Sequence, residues 1–476
     1  MTNEQLEKRA SDLRLSKQAI DAGQPDLGYQ LAVKWAEVNV NDAEALYCVA
    51  AAAELSAKHA IAYQFAKRAT ELRPDKWAAW LLLGTVCMKL WLYDESERAS
   101  RRAIKQALKE KDRAATLANL ATLYIRHGEF AKARPFLEES VKLDPTSRMA
   151  RANLGMCLLS AREWDPGWQM YHECLGSPQR KRIAYGSEPE WDGTEGLKVV
   201  LYGEQGIGDE ISFASMVPDA IKHCDQVIIY ADPRLTGLFK RSFPAAHVYG
   251  SRKQSHLAWD PEDQAFHASA PFGKLGGFYR LKEEDFPGTA YLVPDPERVL
   301  MWKALWETKK DPMTGQNKPV IGIAWTGGVE WNAERFRQWT LEDITPILEA
   351  IPAHWVSLQY KDASKEIARY CEAHTTVDLN QYSFGTLTND YDDTAALVAS
   401  CDHVIAMQTA VVHLAGALGV SCDVFVPRTS QWRYGEGWTS LPWYKSVNVI
   451  RQAVRGHWSN TIREYADGLD RTAVAA

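Results

Sequence analysis

The chain has 476 residues, is 46% hydrophobic and carries a formal net charge of −6. This length allows two or three domains, because single hydrophobic cores stop growing at roughly 250 to 300 residues. The modest charge gives no electrostatic reason to expect nucleic acid or an anionic membrane surface as a partner. Residues 1–9 are too charged for a signal peptide, and no window approaches about eighteen apolar residues. The sequence therefore predicts a cytoplasmic protein without a membrane span.

Residues from about 8 to 175 have helical periodicity and repeat with the spacing of tetratricopeptide hairpins. Small residues recur once per repeat, at Ala50, Gly84, Ala121 and Gly155. A proline follows the second helix of two repeats, at Pro74 and Pro145, as is typical of tetratricopeptide repeats. The pattern predicts a helical solenoid over 1–175 with a longer loop between repeats near 109–113. A plain helical bundle is the alternative.

Beyond a linker predicted at 176–195, short apolar runs alternate with helical patterns. Such alternation is typical of parallel sheets with helices on their faces. It predicts two Rossmann-like domains, over 196–300 and 301–476, with a cleft between them and a C-terminal helix at the end of the second. The runs predicted as strands are 197–202, 226–230, 319–325, 355–359, 403–406 and 423–426.

The glycine-rich segment 203–210 directly follows the first of these strands. A buried strand, a tight turn and a helix opening near Asp209 are the structures it predicts. This is the position at which an α/β sheet holds ligands. The spacing matches neither the dinucleotide fingerprint nor a P-loop, since no Lys-Ser or Lys-Thr follows the glycines. An ordinary strand-to-helix turn remains the alternative.

Two arginines precede a predicted helix start in the second sheet domain. Arg335 and Arg337 lie shortly before Thr340, which has capping-box spacing with Asp343. Planar guanidinium donors beside a helix N-terminus suit a pyrophosphate group. As surface arginines, the two residues would need no ligand at all.

A second phosphate site is predicted where the strand at 403–406 ends. The polar residues Gln408 and Thr409 follow it, and backbone amides open the next helix. His413 lies one turn inside that helix, where it either faces the cleft or bonds to a neighbouring loop. The acidic run 390–393 looks like a metal-binding Asp-x-Asp motif, but its position before 394–397 predicts N-capping, so no metal is expected.

Taken together, these motifs resemble the GT-B glycosyltransferase domain of bacterial tetratricopeptide-repeat proteins, which is related to heptosyltransferases and the O-linked N-acetylglucosamine transferase. The resemblance covers nearly the whole chain. It rests on Trp168, 189–193, 203–209, Pro218, 325–328, 393–397, Thr409, 413–419, 442–444 and 451–452.

The resemblance implies an inverting, metal-independent glycosyltransferase whose donor substrate is a nucleotide-diphosphate sugar. Asp209 matches the base that activates the acceptor hydroxyl. The acceptor implied is a protein, such as a flagellin or another surface-layer component, recruited on the concave face of the repeats. The positions implied for donor binding are Gly206, Gly208, Thr326, Arg335, Arg337, Gln408, Thr409 and His413.

The chain departs from many relatives at Gln408, where they carry Asp before the threonine. Loss of that carboxylate either changes the contacts to the donor ribose or marks an inactive domain. Glutamine still donates and accepts hydrogen bonds, so an active transferase is the leading hypothesis. The alternatives are an inactive scaffold or binding protein, and another nucleotide-sugar enzyme, such as an epimerase or a transferase acting on glycan, lipid or modified nucleic acid.

Overall fold

The computed structural model describes residues 1–177, 180, 182–183, 188–250, 259, 261–310, 315–327 and 336–469. The chain divides into two compact units, Met1–Cys157 and Leu158–Ala476.

The first unit is built of helices that pair along the chain. They are α1 (Asn3–Asp21), α2 (Pro25–Val38), α3 (Ala43–Leu55), α4 (His59–Leu72), α5 (Trp77–Lys89), α6 (Tyr93–Gln106), α7 (Glu110–Arg126), α8 (Phe130–Leu143) and α9 (Arg148–Ser160), whose last residues pass into the second unit. Pro74 and Pro145 each follow the end of a second helix, as predicted. A proline cannot continue a helix because it lacks the backbone N–H.

The small residues of the repeat mark close approaches between paired helices. Ala50 and Ala121 are fully buried. A Cβ atom added to Gly84 would lie 2.7 Å from Ser100 Oγ, and Ser96 Oγ donates to the carbonyl of Gly84 at 2.7 Å. These contacts, made at the predicted spacing, confirm the helical repeats.

The first hairpin follows the same plan and begins earlier than the periodicity indicates. α1 starts at Asn3, where Thr2 and Gln5 form a capping box. Ser16 Oγ of α1 donates to the carbonyl of Gly28 of α2 at 2.7 Å, and Ser96 of α6 and Gly84 of α5 pair at the same spacing with serine and glycine exchanged between the two helices. The hairpin α1–α2 is therefore a repeat with a weaker sequence signature.

The prediction of a longer loop near 109–113 is wrong. α7 begins at Glu110, so most of this segment forms the first turn of a 17-residue helix. Glu110 and Asp112 in that turn interact favourably with the positive end of the helix dipole. The extra residues of this repeat therefore lengthen a helix.

The second unit contains two sheets. Their strands are β1 (Lys198–Tyr202), β2 (Gln226–Tyr230), β3 (Ala246–Tyr249), β4 (Ala268–Pro271), β5 (Val320–Ala324), β6 (His354–Ser357), β7 (Asp378–Asn380), β8 (His403–Met407), β9 (Cys422–Val426), β10 (Ser440–Leu441) and β11 (Tyr444–Arg451). The first sheet has the order β3-β2-β1-β4 and is parallel. The second has the order β10-β11-β9-β8-β5-β6-β7 and is parallel except where β10 pairs with β11. The two predicted parallel sheets are confirmed.

Helices connect the strands of both sheets. They are α10 (Trp164–Tyr171), α11 (Ile207–Ala214), α12 (Val217–His223), α13 (Thr236–Ser242), α14 (Gly276–Tyr279), α15 (Pro296–Trp306), α16 (Thr345–Ala350), α17 (Ser364–Ala373), α18 (Ser383–Thr386), α19 (Tyr391–Ala399), α20 (Ala410–Leu418) and α21 (Ser459–Gly468). Apolar side chains of α16, α17 and α21 pack with those of β5, β6 and β8 in one core. Within the described ranges, no helix has the length and apolar character needed to cross a bilayer.

Each sheet reverses its direction of growth once. The chain runs from β1 outward to β3 and then returns to place β4 on the other side of β1. In the second sheet it runs from β5 outward to β7 and returns to place β8 beside β5. A ligand binds an open parallel sheet at the carboxyl ends of the strands where such a reversal occurs. The fold therefore predicts ligand binding at the ends of β1 and β4 and at the ends of β5 and β8.

Much of the predicted linker at 176–195 is packed into the second unit. Trp191 is fully buried, and its backbone N–H donates to the carbonyl of Ser269 on β4. Arg180 is 1% exposed and forms an ion pair with the equally buried Glu204, 2.9 Å between Nη2 and Oε1. Local composition cannot predict partners this distant in sequence. The glycine, proline and charged residues of 176–195 are typical of a loop.

α10 also belongs to the second unit, so the division between units falls before the predicted boundary at 175. The indole N–H of Trp168 donates to the carbonyl of Arg280 at 2.9 Å. The indole of Trp164 donates to Glu283 at 3.1 Å and packs on Phe286. The repeat-like sequence of α10 thus carries side chains that pack with the sheet region.

The helix predicted to begin at Thr340 begins at Thr345. The capping contacts do form, since Thr340 N donates to Asp343 Oδ2 at 2.8 Å and Asp343 N donates to Thr340 Oγ1 at 3.1 Å. These contacts close a turn and not the first turn of a helix. A helix that began at Thr340 would lack the hydrogen bond to the carbonyl of Glu342, because Pro346 has no N–H. α16 has only six residues.

We expect Glu204→Gln to destabilise the second unit by about 3 to 5 kcal/mol, because it leaves the Arg180 guanidinium buried without a countercharge. Replacing both residues by leucine removes the charges together and is expected to cost less. Denaturant unfolding of the full chain, followed by circular dichroism and tryptophan fluorescence, measures both effects. A Glu204→Gln midpoint equal to that of the wild type would contradict the account of the packed linker.

Candidate functional site

The turn after β1 holds Asp209 through both of its carboxylate oxygens. Oδ2 accepts a hydrogen bond from the backbone N–H of Gly206 at 3.1 Å, which closes the first turn of α11. Oδ1 lies 2.8 Å from Nη2 of Arg433 in an ion pair. The side chain therefore caps its helix, and its predicted role as a base stays a prediction.

Arg433 is a residue that the sequence analysis missed. It lies in a short 3-10 turn, Trp432–Tyr434, after β9 and is 4% exposed. Its guanidinium stacks over the rings of Phe213 and Trp432, and Nη2 donates to Gln205 Oε1 at 3.1 Å. Burial alone would lower the pKa of Arg433, but Asp209 and nearby phenol groups outweigh burial and raise it. An arginine between two aromatic residues, shortly after a predicted strand, was the signal that could have identified it.

Two polar residues directly after β8 have buried side-chain atoms that no described residue bonds. Gln408 is 2% exposed, and neither Oε1 nor Nε2 bonds to any residue within the described ranges. Thr409 is the N-cap of α20, yet its side chain makes no cap bond, and its buried Oγ1 has no partner in the same ranges. Its methyl group is so close to Gly327 that a Cβ atom there would lie 2.1 Å from it.

The predicted residues beside β5 have different surroundings. Arg337 is buried, and its Nη1 donates to the backbone carbonyl of Gln408 at 3.2 Å. Thr326 Oγ1 lies 2.6 Å from the side-chain amide of Gln359, within the second sheet region. Arg335 lies outside the described residues. Arg337 and Gln408 are thus together at the reversal point of the second sheet.

The row of buried polar atoms continues along the neighbouring strands. Gln452, at the end of β11, donates from its backbone N–H to the carbonyl of Val426 on β9 at 3.0 Å. Its Nε2 atom is buried and has no partner among the residues described, as is also true of Thr429 Oγ1 and Ser430 Oγ. Polar atoms with unused hydrogen-bonding capacity therefore lie after β8, β9 and β11.

His413 is buried between two phenol groups and is held neutral. Nδ1 lies 3.3 Å from the hydroxyl of Tyr444, and Nε2 lies 3.4 Å from the hydroxyl of Tyr434. Burial, assisted by the positive charge of Arg433, lowers the pKa of His413 to about 4. Of the two interpretations of His413, the contact with the turn after β9 supports hydrogen bonding to a neighbouring segment.

The N-termini of α11 and α20 meet in this region. A Cβ atom on Gly208 would lie 3.2 Å from Cα of Ala410 and 3.3 Å from Cδ2 of His413. The glycine permits this approach, which brings Asp209 of the first sheet region close to residues of the second. The structure therefore brings together Gly206, Gly208, Asp209, His413 and Arg433, with Arg337 bonded to Gln408 at the start of the same helix.

The acidic run at 390–393 has structural partners. Asp390 caps α19 by accepting a hydrogen bond from Asp392 N at 3.0 Å, which confirms the predicted N-cap. Asp390 and Asp393 both bind Nη1 of Arg298. Across the part of the chain that the structure describes, no group of three or more His, Cys, Asp or Glu residues is arranged to hold a metal ion.

We expect His413 to make stability fall by about 3 kcal/mol between pH 6.5 and pH 4, the equivalent of its pKa shift. The unfolded chain binds a proton on His413 in this range and the folded chain does not, so acid favours unfolding. His413→Gln removes the titrating group and should flatten this part of the stability curve. Denaturant unfolding at several pH values measures the difference between the two proteins, and parallel curves would contradict the neutral, buried imidazole.

The tetratricopeptide repeat family model matches residues 77–146, so this part of the chain contains tetratricopeptide repeats. Protein FlbA of Caulobacter vibrioides is 29% identical over 488 residues, which cover 96% of this chain and 77% of that protein. Tetratricopeptide repeat-containing protein trd-1 of Caenorhabditis elegans is 28% identical over 25% of this chain and 15% of its own length.

Similar solved structures include TTC0263, a thermophilic TPR protein in Thermus thermophilus (19% identity, 36% of this chain, 91% of that chain, TM-score 0.31). Another is pilF of Pseudomonas aeruginosa (18% identity, 35% of this chain, 75% of that chain, TM-score 0.33).

Proposed function

We propose that the chain is a nucleotide-sugar-dependent glycosyltransferase of the GT-B type, inverting and metal-independent, whose donor binds at the carboxyl ends of β5 and β8. The observation that carries the proposal is that the side-chain amide of Gln408 is buried and has no hydrogen-bond partner among the described residues. An unsatisfied buried polar group costs about 1 to 3 kcal/mol. A ligand that bonds to it recovers this free energy when it binds.

The hydrogen-bonding groups after β8 match those of a nucleotide sugar. The amide of Gln408 can both donate and accept, as the hydroxyl groups of a ribose or a hexose require. Thr409 Oγ1 adds a third such atom. Both residues lie where the second sheet reverses its growth, which is where α/β sheets hold nucleotides.

The diphosphate of the donor needs positive charge or N–H donors. Arg337 bonds to the backbone of Gln408 and is near enough to meet a phosphate at the N-terminus of α20. The Thr409 side chain makes no cap bond at that N-terminus, and backbone N–H groups at the start of a helix can bind an anion. His413 is neutral, and because its two ring nitrogens lie beside the hydroxyls of Tyr444 and Tyr434, its contact with the donor stays a prediction. Arg335 remains a proposed ligand of the same phosphates.

The acceptor step is assigned to Asp209. An inverting transfer needs one carboxylate that accepts the proton of the acceptor hydroxyl, and groups that stabilise the departing diphosphate. The repeats supply a surface for protein contacts, and we assign to their concave face the capture of a protein acceptor.

A scaffold or binding protein without transferase activity is the second candidate. The observation that favours it is the ion pair of Asp209 with Arg433, which engages the carboxylate that a transferase would need as its base. Binding of nucleotide sugars, measured by thermal shift and saturation transfer against a panel, separates the two candidates. Mass spectrometry of a candidate acceptor then shows whether a sugar has been added.

We expect Gln408→Leu to stabilise the free protein by about 1 to 3 kcal/mol and to weaken or abolish nucleotide-sugar binding. The leucine removes an unsatisfied amide at nearly constant volume. Gln359→Leu is the matched stability control, because that buried amide contacts Thr326 and its loss should destabilise the protein. Calorimetric titration and thermal unfolding measure the two effects. Unchanged nucleotide-sugar affinity in Gln408→Leu would count against donor binding at this position.

We expect Asp209→Asn to lower transferase turnover by roughly 10²- to 10⁴-fold, the usual contribution of a general base. The asparagine oxygen can still accept the Gly206 N–H, so the first turn of α11 should persist, whereas loss of the carboxylate that pairs with Arg433 should lower the stability. Circular dichroism checks the fold and product mass measures the rate. Near-normal transfer by this variant would place the base elsewhere.

A further inference from the structure

Several sources of positive charge converge on Asp209, and the buried guanidinium of Arg433 is one of them. We infer that Arg433 binds the phosphates of the nucleoside diphosphate and that Asp209 occupies this anion site until the ligand displaces it. The inference rests on the proposed function and deepens it: it names a residue of the diphosphate site and a competition within that site.

The convergence is seen in three contacts. Gly208 brings the N-terminal turn of α11 against Ala410 at the start of α20. Each N-terminus carries a partial positive charge. Arg433 adds a full positive charge at the same place. Its Nη2 atom lies 2.8 Å from Asp209 Oδ1, and the hydroxyl of its neighbour Tyr434 lies 3.4 Å from Nε2 of His413. Both helices have at least eight residues.

Arg433 has unused hydrogen-bonding capacity although it is buried. Its Nε is inaccessible to solvent and has no partner among the residues that the structure describes. Its contacts with Asp209 and Gln205 both use Nη2. A guanidinium normally binds a carboxylate through two parallel hydrogen bonds. Arg433 contacts Asp209 through one nitrogen only, so an anion that accepts hydrogen bonds from two of its nitrogens can replace the carboxylate.

The surroundings favour an anion that carries more than one negative charge. Burial lowers the pKa of His413, and the positive charge of Arg433 lowers it further. Gln408 and Thr409, at the start of α20, add buried polar atoms without partners in the described part of the chain. A diphosphate offers several acceptor oxygens to Arg433 and to the amides of α20, whereas Asp209 offers one. Displacement of Asp209 leaves its Oδ1 atom free for an acceptor hydroxyl.

Competition between Asp209 and the phosphates predicts that one substitution, Asp209→Asn, raises the affinity for the ligand. If Asp209 and the phosphates share Arg433, Asp209→Asn should tighten binding, because the ligand no longer competes with a carboxylate or is repelled by it. The expected gain is about 10- to 100-fold, the scale of one charged hydrogen bond. A carboxylate that acted only on the acceptor would leave this affinity unchanged.

The experiment is calorimetric titration of the full chain with UDP, GDP, ADP and inorganic pyrophosphate. We expect Asp209→Asn to bind at least one nucleoside diphosphate about 10-fold or more tightly than the wild type does. Asp219→Asn is the matched control: its side chain is equally exposed and pairs with the buried Arg280 at 2.9 Å. It should leave the affinity unchanged.

The double variant Asp209→Asn/Arg433→Gln tests the arginine without leaving a charge unpaired. It should lose the gain and bind no more tightly than the wild type. If the wild type binds a nucleoside diphosphate and Asp209→Asn does not tighten it, or if the double variant keeps the gain, the inference is overturned and the proposed function stands. If neither the wild type nor Asp209→Asn binds any of the probes, both are overturned.

Discussion

The close approach of α11 and α20 is the constraint on which the candidate site depends. Their N-termini each carry roughly half a positive charge, and Arg433 adds a buried guanidinium beside them. An anion nearby stabilises such an arrangement, and Asp209 provides one within the chain. Gly208 and Asp209 thus have distinct physical tasks: the glycine lets the helices touch, and the aspartate balances their charge. An anionic ligand could perform the second task equally well.

Strand order explains why the polar residues lie together. β1 and β5 are the strands at which each sheet reverses its growth, so the loops that follow the strands there lie where an open parallel sheet binds ligands. On the second sheet, Gln408 and Thr409 stand at that point with buried polar atoms that no described residue bonds. A core built for stability alone would carry apolar residues there. The same groups that reduce the stability of the free protein are those that a nucleotide sugar could use.

The sequence predicted features that depend on local spacing and missed those that depend on distant partners. The repeats and six strands, β1, β2, β5, β6, β8 and β9, follow from hydrophobic period, small residues and prolines, and the structure confirms them. The other five strands, β3, β4, β7, β10 and β11, were not predicted. Arg180 and Trp191 appeared to lie in a linker because their buried partners, Glu204 and β4, are remote in sequence. The start of α16 was misplaced because a satisfied capping pair can close a turn as well as a helix. Arg433 was missed because its importance comes from Asp209, in the other sheet region.

Hydrogen exchange of the full chain, with and without a panel of nucleotide-diphosphate sugars, tests the central claim most directly. Amide exchange reports burial and hydrogen bonding by ligand along the chain without relying on any substitution. The account predicts ligand-dependent protection in peptides that cover 406–416 and 426–436, at the carboxyl ends of β8 and β9. Protection nowhere in the chain, or only within residues 1–157, would contradict it.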